Sequence, residues 1–526
     1  MEHNYVWRVL DLFGSYGDAE AVVTGDRRLR YTDLADNVLS LATVLREHGF
    51  GAGQTVGILA GNAVETVYLQ LGLHLLGCRT AWVGAVSPRP YQIEYLRRAG
   101  VDAFVYQVDE RAPVAAELVE AVRPPRVFCL GPGGLGPDLL DARPAGPAPE
   151  PAEVTAEPQS FFQTTGTTGL SKLVHHRQSF YTALLAHAER WLAEGRPVLR
   201  HLVISGFWHG SGQLAELMVL FTGGSVLLKN GFDPGDVLET IERERVTSTF
   251  ISPAGLYELL NHPRLARTDL SSLVMLNCGG SAASPARLAE AIDRFGPVLR
   301  IGYGLTEAPL ITEFVGLDHD PEHPERLASC GRPYFDMRVE VRDPDGQVLP
   351  PGQVGEVWAS GSLLMAGYWN EPELNRERLV DGWLRTGDLG RFDQDGYLYL
   401  VGRTADVIIT GTGAIKVFAQ AVEDVLTSHP QVRTAAVVGV PDAAMGEAVV
   451  AYVVPVPDAT VTGDELRELV GARLRDVWAP KEVVFAPTLP LIGLGKVDKN
   501  ALRERYLIAH GIAAPAAPDR DAAQAR

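Results

Sequence analysis

The sequence predicts an α/β protein: a large N-terminal domain of parallel-type sheets, a small β-rich subdomain, and a small α+β C-terminal domain. Three observations predict it. Strand-like apolar runs alternate with helical spacing from residue 32 to about residue 300, the pattern of parallel sheets with helices on their faces. Past Gly331 the texture changes to alternating or β-branched stretches separated by Asp-Gly and Pro-Gly turns. The 526 residues exceed one ordinary domain, and a second set of helices and strands begins after Gly402-Arg403.

Taken in order, Thr32 is placed to cap a helix carrying Leu34, Val38, Leu41 and Leu45 on one face, and Gly49 stops it. Strands are expected at 55–60, 80–85 and 103–106, with helices at 64–76 and 91–99. The run Gly131-Pro132-Gly133-Gly134-Leu135-Gly136 fits a dinucleotide-binding spacing, but Pro137 and a Pro/Ala-rich stretch follow where a helix is required, so it reads as a surface loop. Further strands are expected at 225–228, 248–252, 273–277 and 298–301, and helices at 237–246 and 285–295. The β-rich part has strands at 337–341, 354–359 and 397–401. The last domain reads as helix 421–427, strands 434–440 and 448–454, and helix 463–475. The domains are expected at 1–403, 404–510 and a disordered tail at 511–526.

Composition excludes several function classes. A net charge of −18 argues against nucleic acid or an anionic membrane as the main partner. No stretch approaches the roughly 20 apolar residues of a membrane span, and residues 1–14 lack the basic head and apolar run of a signal peptide. The four cysteines, Cys78, Cys129, Cys278 and Cys330, are far apart and read as reduced core residues of a cytoplasmic protein. Only six lysines stand among the 47 basic residues, and two of them, Lys172 and Lys496, lie in glycine-flanked motifs.

The first of these motifs is Phe162-Gln163-Thr164-Thr165-Gly166-Thr167-Thr168-Gly169-Leu170-Ser171-Lys172. Two glycines and four threonines in six positions expose backbone N–H groups and hydroxyls to a polyphosphate, and the lysine adds a point charge. It is not a Walker loop, because Ser171 precedes Lys172 and Leu173 offers no hydroxyl to a metal. By itself the stretch also fits a polar hairpin turn.

With the motifs that follow it in order, the stretch resembles the signature of the adenylate-forming superfamily of acyl- and aryl-CoA ligases, nonribosomal adenylation domains and luciferases. The resemblance extends from about residue 20 to 505. It implies that Thr164, Thr165, Gly166, Thr167, Thr168, Gly169 and Lys172 hold ATP phosphates. In Gly302-Tyr303-Gly304-Leu305-Thr306-Glu307 it implies that Tyr303 stacks on adenine, Thr306 lies near the α-phosphate, Glu307 holds Mg²⁺, and Gly302 and Gly304 border the acid pocket. A flat ring suits a base, and a hard cation takes a carboxylate with phosphate oxygens. Gly280 and Ser281 would run along adenine, although the same residues fit a plain strand-to-helix turn. Asp388, in Thr386-Gly387-Asp388-Leu389, and Arg403 would bind ribose, Asp406 would be the hinge of a mobile C-terminal domain, and Lys496 would be the catalytic lysine.

Trp208-His209 stands where the family begins its acid pocket and where amino-acid-activating relatives carry an aspartate. Its absence favours a small carboxylic acid with an apolar or aromatic body over an α-amino acid. Ser171, Leu173, Ala419 and the longer 410–416 segment depart from the family pattern.

The resemblance therefore implies an AMP-forming acid–thiol ligase using ATP, Mg²⁺ and CoA. Three alternatives stay open from sequence: an acyl-AMP ligase loading a separate acyl carrier protein, a ligase that performs only thioester formation on a supplied adenylate, and a non-catalytic adenylate-binding protein.

Overall fold

The computed structural model describes residues 4–84, 87–151, 156–164, 172–320, 322–410, 415–442, 444–492 and 496–512. Two compact units emerge: residues 1–353, 357–386 and 392–399 form the first, and 354–356, 387–391 and 400–526 the second.

The first unit contains two large sheets. One has nine strands, ordered Arg332–Pro333, Ala308–Val315, Leu299–Leu305, Met275–Gly279, Ser248–Ile251, Arg200–Val203, Ser225–Leu228, Glu20–Thr24 and Arg27–Arg30. Its centre is parallel and both edges are antiparallel. The other has seven strands, ordered Gly367–Tyr368, Leu173–Arg177, Gln159–Gln163, Arg79–Trp82, Thr55–Leu59, Ala103–Gln107 and Val127–Leu130. It too is parallel except where Gln159–Gln163, Leu173–Arg177 and Gly367–Tyr368 pair antiparallel. Helices such as Val64–Leu75, buried along nearly its whole length, supply the crossovers.

Several elements differ instructively from their sequence expectation. The helix expected from Thr32 spans Tyr31–Glu47 and starts beyond Arg30, whose backbone N–H donates to Asp33 Oδ2 at 2.9 Å. A carboxylate one turn in has thus replaced the hydroxyl cap. The strand expected at 298–301 continues to Leu305 and carries Gly302, Tyr303 and Gly304 within it, so the chain reverses only at Thr306-Glu307. The Gly131–Gly136 stretch is a loop, as its proline promised: a Cβ on Gly136 would stand 2.1 Å from the Val127 carbonyl oxygen. The four cysteines are buried and free.

The β-rich stretch contributes strands Arg338–Arg342, Gly355–Ser360, Leu379–Val380, Trp383–Phe392 and Leu398–Arg403, and the boundary between the units runs through three of them. In the second unit, Ile415–Phe418, Val407–Thr410, Gly446–Pro455 and Val432–Asp442 form a sheet, with Glu482–Phe485 parallel to Gly446–Pro455. Helices Ala419–Thr427 and Gly463–Arg473 bury Val422, Leu426, Leu466 and Val470 against it.

A buried polar network ties the helices of the first unit together. His74 Nδ1 lies 2.9 Å from the Tyr5 hydroxyl and His74 Nε2 lies 3.1 Å from Ser160 Oγ. The Tyr181 hydroxyl stands 2.6 Å from Ser160 Oγ and 2.8 Å from Gln213 Oε1. Burial pushes His74 down from 6.5 to about 3, and His176 and His201 to about 4. These rings are neutral in the fold but protonate near 6.5 when the chain unfolds. Their contribution is therefore present above pH 6.5 and lost as pH falls from there through the folded values. His175, likewise held at about 4, adds a fourth such ring, each contributing about 1.4 kcal/mol between pH 5.5 and pH 7.5, whereas burial pushes Glu216 up to about 8, and its protonation in the fold offsets roughly 2–3 kcal/mol of that sum. Denaturant unfolding is therefore expected to show the first unit less stable at pH 5.5 than at pH 7.5 by on the order of 3 kcal/mol. An unchanged midpoint would reject the neutral, buried assignment.

Candidate active site

In the first unit the glycine- and threonine-rich stretch closes the antiparallel pair Gln159–Gln163 and Leu173–Arg177, whose last register partners are Gln163 and Leu173. Thr165, Gly166, Thr167, Thr168 and Gly169 lie outside the described residues. At their stem, the Lys172 N–H donates to Thr164 Oγ1 at 3.1 Å, and the Thr164 N–H donates to the Lys172 carbonyl at 3.2 Å. The Lys172 ammonium stands 5.1 Å from the centre of the Tyr368 ring. Its pKa is lowered, first by burial and then by Arg378, while Glu307 opposes the shift.

The stem is tied to the Thr306-Glu307 turn. His176, fully buried on Leu173–Arg177, has Nε2 2.9 Å from the Thr306 carbonyl oxygen, which requires the proton on Nε2. The Glu307 carbonyl accepts the Met365 N–H at 2.7 Å, and Glu307 Oε1 accepts the Tyr368 hydroxyl at 2.7 Å. Thr306 and Glu307 thus follow directly on the strand that holds Tyr303, which is buried to 8% exposure. Gly304 has no room for a side chain, since a Cβ would lie 2.2 Å from the Pro309 carbonyl oxygen. Gly279 pairs with Gly302, so Gly280 and Ser281 leave the sheet beside the same motif.

Trp208 and His209 are half-buried and precede helix Gly210–Phe221. Asn62 fixes this approach: its Oδ1 accepts the Phe207 N–H at 3.2 Å, and its Nδ2 donates to the carbonyls of Ser205 and Lys229. The helix start adjoins the turn beyond Glu307, because a Cβ on Gly210 would lie 3.5 Å from Pro309 Cγ. The first unit therefore brings together Thr164, Lys172, Thr306, Glu307 and the start of the 210–221 helix, which are scattered along the sequence.

In the second unit Asp388 is 5% exposed and pairs with Arg403, Nε to Oδ1, at 3.1 Å. Asp406 closes the short helical turn Thr404–Asp406. The glycine-rich 410–416 segment is the end of a hairpin, Val407–Thr410 against Ile415–Phe418, and residues 411–414 lie outside the described residues. Lys496 opens a two-stranded ribbon with Leu491–Ile492; its side chain lies outside what is described. Three residues on, the Lys499 ammonium pairs with buried Glu423 at 2.7 Å, which anchors the base of that ribbon.

Among the described residues no three His, Cys, Asp or Glu side chains converge on a metal. Glu307 nonetheless suits a divalent cation of the Mg²⁺ type. It offers hard carboxylate oxygens, of which Oε1 already accepts the Tyr368 hydroxyl, and such an ion takes its other ligands from phosphate and water.

Residues 13–369 match the AMP-binding enzyme family, and residues 421–496 match the AMP-binding enzyme C-terminal domain. The chain belongs to the AMP-binding enzyme family. Among curated relatives, the medium/long-chain-fatty-acid–CoA ligase FadD8 of Mycobacterium tuberculosis is 36% identical over 92% of this chain and 86% of its own length. The feruloyl-CoA synthase of an Amycolatopsis species is 34% identical over 93% and 96%. Among solved structures, the amide bond synthetase McbA from Marinactinospora thermotolerans is 36% identical, covers 95% of this chain and 99% of its own, and superposes with a TM-score of 0.87.

For this AMP-binding enzyme, reading the sequence missed three residues that shape the site: Tyr368, His176 and Asn62. Each acts through a partner far away in the chain, Tyr368 at a separation of 61 residues and His176 at 130. Gly367-Tyr368 carried no motif-level signal that would have linked it to Glu307.

Proposed function

We propose that this enzyme joins a carboxylic acid to CoA at the expense of ATP, by way of an acyl-adenylate. The substrate carboxylate attacks the α-phosphorus in line, forming the mixed anhydride and expelling pyrophosphate. The CoA thiol then attacks the acyl carbon, forming the thioester, expelling AMP and releasing its proton. The observation that carries this reading is the convergence of Lys172 and Glu307 on one tyrosine, which joins a polyphosphate cation to a metal-type carboxylate.

The residue roles are those the family resemblance implies, and charge explains why the ionic ones suit the reaction. Catalysis of phosphoryl transfer rests on positioning and on stabilising the charge that grows on phosphoryl oxygens. Lys172 and the Thr164–Gly169 hydroxyls and N–H groups hold the departing phosphates. A Mg²⁺ ion held by Glu307 would neutralise phosphate charge when bound. Thr306 donates near the α-phosphate, Tyr303 and the Gly280-Ser281 backbone receive adenine, and Asp388 with Arg403 receives ribose. Lys496 meets the attacking carboxylate, and Asp406 is the hinge about which its domain turns before the thiol arrives. Trp208, His209, Gly302 and Gly304 border the acid. Given relatives that act on fatty and feruloyl acids, the acid has an apolar or aromatic body.

A second reading concerns only the acceptor. Identity to an amide bond synthetase equals that to the fatty-acid ligase, 36% in each case, so an amine is the rival to the thiol. A panel of fatty and aryl acids with ATP, read separately for pyrophosphate and for product, tests both. Acid-dependent pyrophosphate release with thioester accumulating on CoA addition is the expected result. Product only with an added amine would reassign the acceptor, and thioester only from a supplied adenylate would remove the first half-reaction. Thioester on a carrier protein but not on CoA would replace the free thiol by a protein-bound one.

A further inference from the structure

Tyr368 belongs to none of the motifs, yet it is the residue on which the two charged groups of the phosphate site meet. It is 5% exposed. Its hydroxyl donates to Glu307 Oε1 at 2.7 Å, and the Lys172 ammonium lies 5.1 Å from its ring centre. The tyrosine is itself held on three sides. Its strand pairs antiparallel with Leu173–Arg177, Tyr368 opposite Val174 and Gly367 opposite His175. Its N–H donates to Asn375 Oδ1 at 2.7 Å, and Asn375 Nδ2 returns a bond to its carbonyl at 2.8 Å. A backbone clamped in this way, with the ring itself buried, fixes the position from which the hydroxyl reaches Glu307.

The chemistry of a carboxylate that binds a hard cation gives that contact a purpose. A carboxylate free to rotate must be ordered each time a cation binds. One whose first oxygen accepts a fixed hydroxyl presents its second oxygen in a set direction, and such outer partners tune metal affinity. The ring meanwhile offers its negative face to Lys172, so the ammonium is kept beside the phosphate stem and away from direct pairing with Glu307, which would neutralise both. We infer that Tyr368 is a positioning residue of the nucleotide site: its hydroxyl aims Glu307 at the divalent cation that accompanies ATP, while its ring keeps Lys172 apart from that carboxylate. This rests on the reading of Glu307 as the metal carboxylate.

The two halves of the tyrosine make the test specific. Tyr368→Phe removes the hydroxyl and keeps the ring. Mn²⁺ serves as the probe, its free form counted by electron paramagnetic resonance with ATP held below the enzyme concentration so that unbound nucleotide does not sequester the ion, and metal-free ATP binding is measured by calorimetry in chelator. Tyr368→Phe is expected to weaken Mn²⁺ binding by roughly 10–100-fold and to leave metal-free ATP affinity unchanged, since Lys172 keeps its seat. In a Glu307→Gln background the same substitution is expected to add nothing.

Glu307→Asp provides an independent route if the phenylalanine variant fails to fold. It keeps the charge but is one methylene short of the hydroxyl, and it should weaken Mn²⁺ while sparing metal-free ATP. Wild-type Mn²⁺ affinity in Tyr368→Phe, or in Glu307→Asp where that variant must stand in, overturns the inference. So does an equal loss of metal-bound and metal-free nucleotide, which marks a merely structural role. Unchanged Mn²⁺ binding in Glu307→Gln overturns the underlying metal assignment instead, and with it this inference.

Discussion

Lys496→Ala is expected to lower acid-dependent adenylation by roughly 10²–10³, the scale of one preorganised electrostatic contact, and to spare thioester formation from a supplied acyl-adenylate. Lys496 lies more than 300 residues from Lys172 and belongs to the second unit, whereas Lys172 belongs to the first. Were both lysines simply ATP ligands, losing either would impair both half-reactions alike. An ammonium that meets charge present mainly in the transition state lowers the rate more than the affinity. Its ribbon is braced by the Lys499–Glu423 pair, so the alanine variant should keep its fold. Two single-turnover assays on the one variant decide the matter, one from acid plus ATP and one from synthetic adenylate plus CoA. Equal losses in both would reject a lysine that serves only the first step.

Asp388→Ala is expected to weaken ATP and adenylate binding by roughly 10–100-fold, the loss of a charge-assisted acceptor of about 1.5–3 kcal/mol. The carboxylate is nearly inaccessible and bound to Arg403 Nε at 3.1 Å, and the ribose assignment proposed above requires it to accept from a diol as well. Asp388→Asn separates charge from shape: it keeps the volume, loses the charge, and should fall between wild type and alanine. Calorimetric nucleotide affinity unchanged in both variants would reject the ribose assignment. A parallel loss of thermal stability would instead mark the Asp388–Arg403 pair as structural.

Local features of the chain were legible where they follow from backbone chemistry. Alternating strand and helix texture announced the parallel centres of the two large sheets, because crossover connections leave that pattern in any sequence. The proline after Gly136 excluded a nucleotide-binding turn there. Element ends were less legible. Asp33 rather than Thr32 organises the start of its helix, since two competent capping groups stood within one turn. The strand through Gly302, Tyr303 and Gly304 runs past its expected end at Ile301 to Leu305, because glycines break the apolar run that marks a strand while antiparallel pairing with Ala308–Val315 sustains it.

The sequence by itself determined the superfamily, the α/β class and the charged groups worth watching: Lys172, Glu307, Asp388, Arg403 and Lys496. Those depend on residue type and short spacing, which a linear string carries. Tertiary structure alone decided who holds them. Tyr368 meets Glu307 across 61 residues and His176 meets Thr306 across 130, and Lys172 sits over a ring that no motif mentions. Hydrogen bonds and ring contacts act over a few ångströms of space with no regard for chain separation, so these partners exist only once strands Gln159–Gln163 and Leu173–Arg177 have paired and the Gly367–Tyr368 strand has closed against Leu173–Arg177.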